Sequence, residues 1–155
     1  TGDVPVEEEW QNRYKRGARA YWDHFYEERT INFFKDRHYL REECAELMPE
    51  EVLEDPRRWV DHINVEEDKE PPSSPSKLVA ACEGKLVVLE VGCAVGNGIL
   101  PLLRANSRLF GIACDLSPVA VHLLQQKDEY RCGRCLAFPS DITRGVEEQP
   151  TPEHQ

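Results

Sequence analysis

Apolar residues run through Leu86-Val87-Val88-Leu89, pass Glu90 to Val91, and stop at a small-residue turn, Gly92-Cys93-Ala94-Val95-Gly96-Asn97. A run without alternation is the pattern of a parallel strand covered on both faces. A helical pattern follows at about 98–105, then a second apolar run at about Leu109–Cys114 that closes on Asp115. Ser117-Pro118 opens another helix to about Lys127, with Ser at N-cap and Pro at the first helical position. A third strand follows at about Cys135–Phe138 and closes on Asp141. Strand and helix in this order predict an α/β fold, a right-handed parallel doubly wound sheet of which the βαβαβ part is readable.

The half before Leu86 has a different period. Residues 1–9 read as an acidic, frayed arm. From Glu8 to about Arg29, Trp10, Tyr14, Ala18, Tyr21 or Trp22, and Phe25 recur at steps of three and four. That spacing predicts a helix that packs an aromatic stripe on a core, weakened locally by Gly17. Leu40 to about Leu53 reads as a second helix with Leu40, Cys44, Leu47 and Met48 inward. Pro49 either breaks it or starts a further turn. Trp59, Val60 and Ile63 suggest a short packed segment. The expected organisation is a helical extension at 1–64, a charged and Pro/Ser-rich linker at 65–77, a domain at 78–142 entered through a short helix at 77–83, and a polar tail at 143–155.

The net charge of −10 over 155 residues argues against general attraction to nucleic acid or an anionic membrane. Neither a membrane span nor an export leader is visible, so a reducing compartment is expected. Its six cysteines are then expected to be free thiols. Cys132-x-x-Cys135 is half of a zinc or redox pattern without a second pair, and His24, His38, His62 and His122 form no ligand set, so no metal is expected.

The chemistry gathers at the strand ends. Ligands of open α/β sheets bind at the carboxyl ends of the strands. The three strands end at Glu90 with its turn, at Asp115, which follows Glu90 by 25 residues, and at Asp141. Asp115 is placed to accept from a ribose diol and Asp141 from the exocyclic amine of a purine. The dinucleotide fingerprint needs glycine at 92, 94 and 97; the chain has Gly92, Ala94 and Asn97, so a nicotinamide or flavin dinucleotide is disfavoured. Separately, Asn32-Phe33-Phe34-Lys35-Asp36-Arg37-His38-Tyr39 puts aromatic and basic residues in one loop. It reads either as two core anchors among solvated charges or as a lid contacting nucleic acid.

Glu90-Val91-Gly92-Cys93-Ala94-Val95-Gly96 resembles the first motif of class I S-adenosylmethionine-dependent methyltransferases. Tyr21-Trp22-Asp23-His24-Phe25-Tyr26, followed by Asn32 to His38, is similar to the N-terminal signature of the methyltransferase-like tRNA N(3)-cytidine methyltransferases. The order of motifs also matches, through Cys114-Asp115-Leu116-Ser117-Pro118 and Arg134-Cys135. The resemblance covers about residues 20–48 and 86–142. Tyr39 replaces a usual Trp, Ala94 a usual Gly, and a fourth strand is missing.

The resemblance implies a Rossmann-like class I methyltransferase fold, of which this chain carries the first half behind an N-terminal helical extension. It implies S-adenosyl-L-methionine as cofactor, held by Glu90, Gly92, Cys93, Gly96, Asp115, Leu116, Asp141 and Ile142. Phe33, Phe34, Lys35, Arg37, His38 and Tyr39 would face the substrate, and no residue is assigned as catalytic. The implied reaction is methyl transfer to N3 of a cytidine in the tRNA anticodon loop. The implied partners are tRNA and an aminoacyl-tRNA synthetase or other accessory protein. A cytoplasmic location is expected, with nucleus and mitochondrion left open. Two alternatives stand beside this: a truncated, non-catalytic interaction protein, and a small-molecule methyltransferase.

Overall fold

The computed structural model describes residues 5–29, 34–54 and 70–144. Phe33 and the segment around Trp59, Val60 and Ile63 lie outside the described residues.

Three parallel strands form the sheet: β1 (Leu86–Val91), β2 (Leu109–Asp115) and β3 (Cys135–Pro139), in the order β1-β2-β3. The register aligns Val91 with Cys114 and Asp115 with Pro139, so the strand ends that carry the acids lie side by side. Parallel strands alternate with helices, as the sequence pattern predicts for a doubly wound α/β sheet, and the arrangement is consistent with the partial Rossmann-like methyltransferase fold that the resemblance implies.

The helices, numbered along the chain, are α1 (Glu8–Arg29), α2 (Leu40–Glu43), α3 (Glu50–Glu54), α4 (Pro75–Cys82), α5 (Ile99–Ala105) and α6 (Pro118–Gln125). The predicted capping holds: Ser117 Oγ accepts from Ala120 N at 3.2 Å with Pro118 next in the helix. Ser74 does the same for α4, accepting from Lys77 N at 3.3 Å. α5 is buried along almost its whole length, and Ile99, Leu100 and Leu103 pack with Leu109, Ala113 and Val121 in the main core. Gly111 of β2 permits this contact, since a Cβ there would lie 2.8 Å from Ile99 Cδ1.

The structure corrects the sequence reading in three places. β1 is not covered on both faces. Val88 and Glu90 are partly buried, but Val87, Leu89 and Val91 are 48%, 61% and 49% exposed. β1 is an outer strand of the described sheet, and among the described residues nothing covers that face. The helix expected from Leu40 to about Leu53, with Pro49 breaking it or starting a further turn, is already interrupted before Pro49: the stretch is α2, a short 3-10 turn at Ala45–Leu47, and α3. Met48 precedes Pro49 and is driven to extended backbone, ψ 142°, which interrupts the helix; α3 then starts from Pro49, whose carbonyl accepts from Val52 N at 3.0 Å. Third, the aromatic stripe of α1 packs only at its C-terminal end. Tyr26 is buried against Val95 and Ala120, with Phe25 partly buried beside it, whereas Trp10, Tyr14 and Tyr21 are exposed.

All six cysteines are free thiols. Among the described residues no helix is long and apolar enough to cross a membrane, and no cluster of side chains is arranged to hold a metal.

Candidate functional site

At the C-terminal ends of β1 and β2 the chain makes a cavity of about 310 Å³. Its floor is the turn after β1. Gly92, at φ +71°, and Cys93 both donate backbone N–H groups to Cys114 O, at 2.8 and 3.0 Å. These bonds prolong the β1–β2 ladder by one residue and curl the chain over the end of β2. Ala94 follows at φ +51°, a left-handed conformation that a residue with a Cβ rarely adopts. It is held there by its N–H, which donates to Asp115 Oδ2 at 2.8 Å.

Asp115 is the hub of one side of the cavity. Its second oxygen, Oδ1, accepts from Ser117 N at 2.9 Å. Ser117 Oγ in turn donates to Asp23 Oδ1 of α1 at 2.5 Å. A carboxylate has about four acceptor positions, so two such bonds leave Asp115 able to accept from a ligand diol.

Glu90 lies across the cavity. Its Oε2 accepts from Ile99 N at 2.9 Å, which ties the strand end to α5. Burial pushes its carboxyl up from the ordinary range, and nearby Asp115 adds to this; the Ile99 N–H and the Arg37 guanidinium pull the other way. Gly98 makes the arrangement possible, because a Cβ there would lie 2.2 Å from Glu90 Oε1.

The opposite wall comes from the N-terminal extension. Trp22 and Tyr26, one turn apart on α1, line the cavity with Phe34 and Arg37 of the loop that follows. Trp22 and Tyr26 stack at 6.1 Å between ring centroids, and Phe25 meets Phe34 at 6.0 Å. Burial, helped by Asp115, pushes the Tyr26 phenol up to about 12, so it remains protonated. Arg37 is the cation of this lining among the described residues, set against the carboxylates of Glu90 and Asp115.

Of the residues expected to bind cofactor, Glu90, Gly92, Cys93, Asp115 and Leu116 line this one cavity. Burial and the neighbouring carboxylates push the Cys93 thiol up, so it contributes bulk and backbone rather than a thiolate. Gly96, at φ +85°, is not in the lining. Its place is underneath, where a Cβ would lie 2.7 Å from Leu100 Cδ1. Asp141 and Ile142 follow β3, also outside the lining. Asp141 Oδ1 accepts from Thr143 N at 3.0 Å and Thr143 Oγ1 at 2.6 Å, and those bonds hold its carboxyl below its usual range.

Of the residues expected to face substrate, Phe34 and Arg37 line the cavity. Lys35, His38 and Tyr39 are exposed outside it. Phe33 lies outside the described residues.

Sequence reasoning missed Trp22, Tyr26, Asn97 and Gly98 as parts of the site. Trp22 and Tyr26 stand at i and i+4 within the quoted Tyr21–Tyr26 string, so helical spacing alone puts them on one face. Nothing local to Asn97 or Gly98 announces that they meet the 34–37 loop and Glu90.

No family model matches the chain. It is 35% identical over 156 aligned positions to the tRNA N(3)-cytidine methyltransferase METTL2 of Danio rerio, across 97% of this chain and 44% of that protein. It is 35% identical over 135 positions to the tRNA N(3)-cytidine methyltransferase METTL6 of Rattus norvegicus, across 86% of this chain and 37% of that protein. With METTL6 of Homo sapiens the identity is 33% over 134 positions, again 86% and 37%. The resemblance drawn from the residue strings is borne out by these homologues. The chain spans less than half the length of each of these three curated relatives.

Proposed function

We propose that this chain, a homologue of the tRNA N(3)-cytidine methyltransferases, carries the S-adenosylmethionine site of an enzyme that methylates N3 of a cytidine in the tRNA anticodon loop. The observation that carries the reading is the convergence of four separate segments on one cavity: Trp22 and Tyr26, Phe34 and Arg37, the turn after Glu90, and Asp115. Its volume, about 310 Å³, falls at the lower end of the range for small-molecule sites, roughly 300–1,000 Å³.

The donor set fits that cofactor. Asp115 has acceptor positions left for a ribose diol. Gly92 at its positive φ has nothing within 4 Å of where a Cβ would be, leaving room for close approach to the turn. Arg37 is placed to pair with the carboxylate of an amino-acid end, and the aromatic wall excludes water. When bound, S-adenosylmethionine supplies a methyl group activated on sulfonium. The accepting N3 carries no proton in neutral cytosine, so no residue of this chain needs to act as a strong base. The chain's task is positioning, and the target base must be unpaired to reach the cavity. Asp141 and Ile142 would meet the adenine where the ligand extends past the cavity towards β3.

Exposed Lys35, His38 and Tyr39 give the loop a tRNA-facing edge, with a cation for phosphate and a ring for stacking. At a net charge of −10, much of the tRNA affinity must come from elsewhere, an aminoacyl-tRNA synthetase or other accessory protein being the proposed source. A cytoplasmic location is part of the same reading. A second reading, cofactor binding without transfer, is favoured by the open apolar face of Val87, Leu89 and Val91.

Calorimetric titration with S-adenosylmethionine, then a methyl-transfer assay on unmodified tRNA and on small metabolites, tests the proposal. Binding that Asp115→Ala abolishes is expected. The absence of both heat on titration and protection on thermal melting would overturn it. Binding without transfer to tRNA selects the second reading, and transfer to a metabolite selects a small-molecule enzyme.

A further inference from the structure

Among the described residues Asn97 makes three hydrogen bonds beyond its own turn and helix, all to the loop that supplies Phe34 and Arg37. Its Nδ2 donates to Phe34 O at 2.9 Å and to Asp36 Oδ1 at 3.1 Å, and its backbone carbonyl accepts from Arg37 N at 2.7 Å. The orientation of the amide is fixed by chemistry. Both side-chain partners are acceptors, so the NH2 group faces the loop and Oδ1 faces away. Asn97 is 5% exposed, and its Oδ1 is buried with no partner among the described residues. Bonding the loop is therefore preferred over satisfying the side chain's own acceptor. Asp36 has a second anchor, Arg104 Nη1 at 3.8 Å from Oδ2, and Arg104 also pairs with Glu129. Both anchors sit on the stretch that runs from the turn through α5. Asp36 thus faces α5, while Phe34 and Arg37 on either side of it line the cavity.

We infer that Asn97 is a positioning residue that makes the Phe34–Arg37 loop a wall of the cavity and acts on the ligand through Arg37. The effect on ligand rests on the reading of the cavity as an S-adenosylmethionine site; the effect on the loop does not. Asn97 follows Gly96 directly, so the wound turn and the closed loop form one unit. A ligand seated on the turn meets Arg37 only while this bond set is made.

Asn97→Asp keeps the shape and turns the donor into an acceptor facing two acceptors. In the full 155-residue chain, amide hydrogen exchange over residues 34–41 should then accelerate about tenfold, the scale of one lost hydrogen bond, with β2 (109–115) unchanged. Adding Asp36→Asn returns a donor–acceptor pair in the reverse sense and should restore part of the protection. Asp36→Ala, at a half-exposed position, is the second variant should the first fail to fold, and should accelerate the same segment. Unchanged exchange at 34–41, or equal acceleration in β2, overturns the inference. Titration with S-adenosylmethionine supplies a double-mutant cycle: Asn97→Asp should weaken binding in the wild-type background and have little effect in Arg37→Ala. Additive losses overturn action through Arg37. Absence of any binding to the wild-type chain overturns the cofactor reading instead, and the exchange measurement still decides the role of Asn97.

Discussion

Ala94 reaches Asp115 from a left-handed conformation, its N–H 2.8 Å from Oδ2 and its φ at +51°. The bond fixes the conformation, and the conformation aims the bond. The chain thus keeps a Cβ at a position where glycine is the easier residue. Ala94→Gly should relieve the strain and raise stability by up to about 1 kcal/mol, net of the extra freedom glycine gives the unfolded chain. For a chain of this size that is about 2–4 °C in melting temperature. Because the turn is already wound, S-adenosylmethionine affinity should not change. Tighter binding in the variant would show that the alanine turn has to be rewound by the ligand.

Gly98 needs its missing side chain for a different reason. Its φ of −96° suits any residue, but a Cβ would lie 2.2 Å from Glu90 Oε1. Gly98→Ala should push the carboxylate aside, break its bond to Ile99 N, and cost about 1–3 kcal/mol. Thermal or urea unfolding measures the loss, and an unchanged midpoint would mean that Glu90 has another rotamer available.

Glu90 should also leave a mark on the pH dependence of stability. Burial raises its folded pKa above that of the unfolded chain. Over the window from the ordinary carboxylate value up to the raised one, the folded state binds more protons than the unfolded state. Stability from this group therefore falls as pH rises through that window. Glu90→Gln, which keeps an acceptor for Ile99 N, should flatten that fall and raise the melting temperature at neutral pH relative to wild type. An identical pH profile in the variant would show that Glu90 titrates normally.

The thiols should divide by burial. Cys44 and Cys82 are partly exposed, whereas Cys93, Cys114, Cys132 and Cys135 are buried. Burial pushes Cys135 up to about 12 and raises Cys93 and Cys114 as well. An aromatic disulfide reagent at neutral pH should modify Cys44 and Cys82 quickly and the other four only on unfolding. Fast modification at Cys132 or Cys135 would show that this pair opens in the native state.

The strands, the caps and the acids at the strand ends were legible because each is a local pattern. Leu86–Val91 is an apolar run, Ser117-Pro118 is a cap, and Asp115 ends a strand wherever the sheet lies. The stripe of α1 misled for the same reason. Periodicity places Trp10, Tyr14 and Tyr21 on one face but does not say that a partner covers it; among the described aromatics of α1, Phe25 and Tyr26 are the ones that join Ala120 of α6 in a buried cluster. The exposed Val87, Leu89 and Val91 repeat the lesson in β1, where an apolar pattern records what a strand can bury.

The sequence by itself determined the βαβαβ order, the turn after Glu90, the acid at Asp115, and the resemblance carried by residues 21–26 and 32–38. Only the tertiary structure decided that Trp22, Tyr26, Phe34 and Arg37 close the far side of the same cavity, and that Asn97 and Gly98 are the reasons they fit. The physical reason is distance along the chain. Asn97 bonds to Phe34 O across 63 positions, and Ser117 to Asp23 across 94. Those bonds depend on how the helical extension packs against the sheet, a relation that no local run of residues encodes.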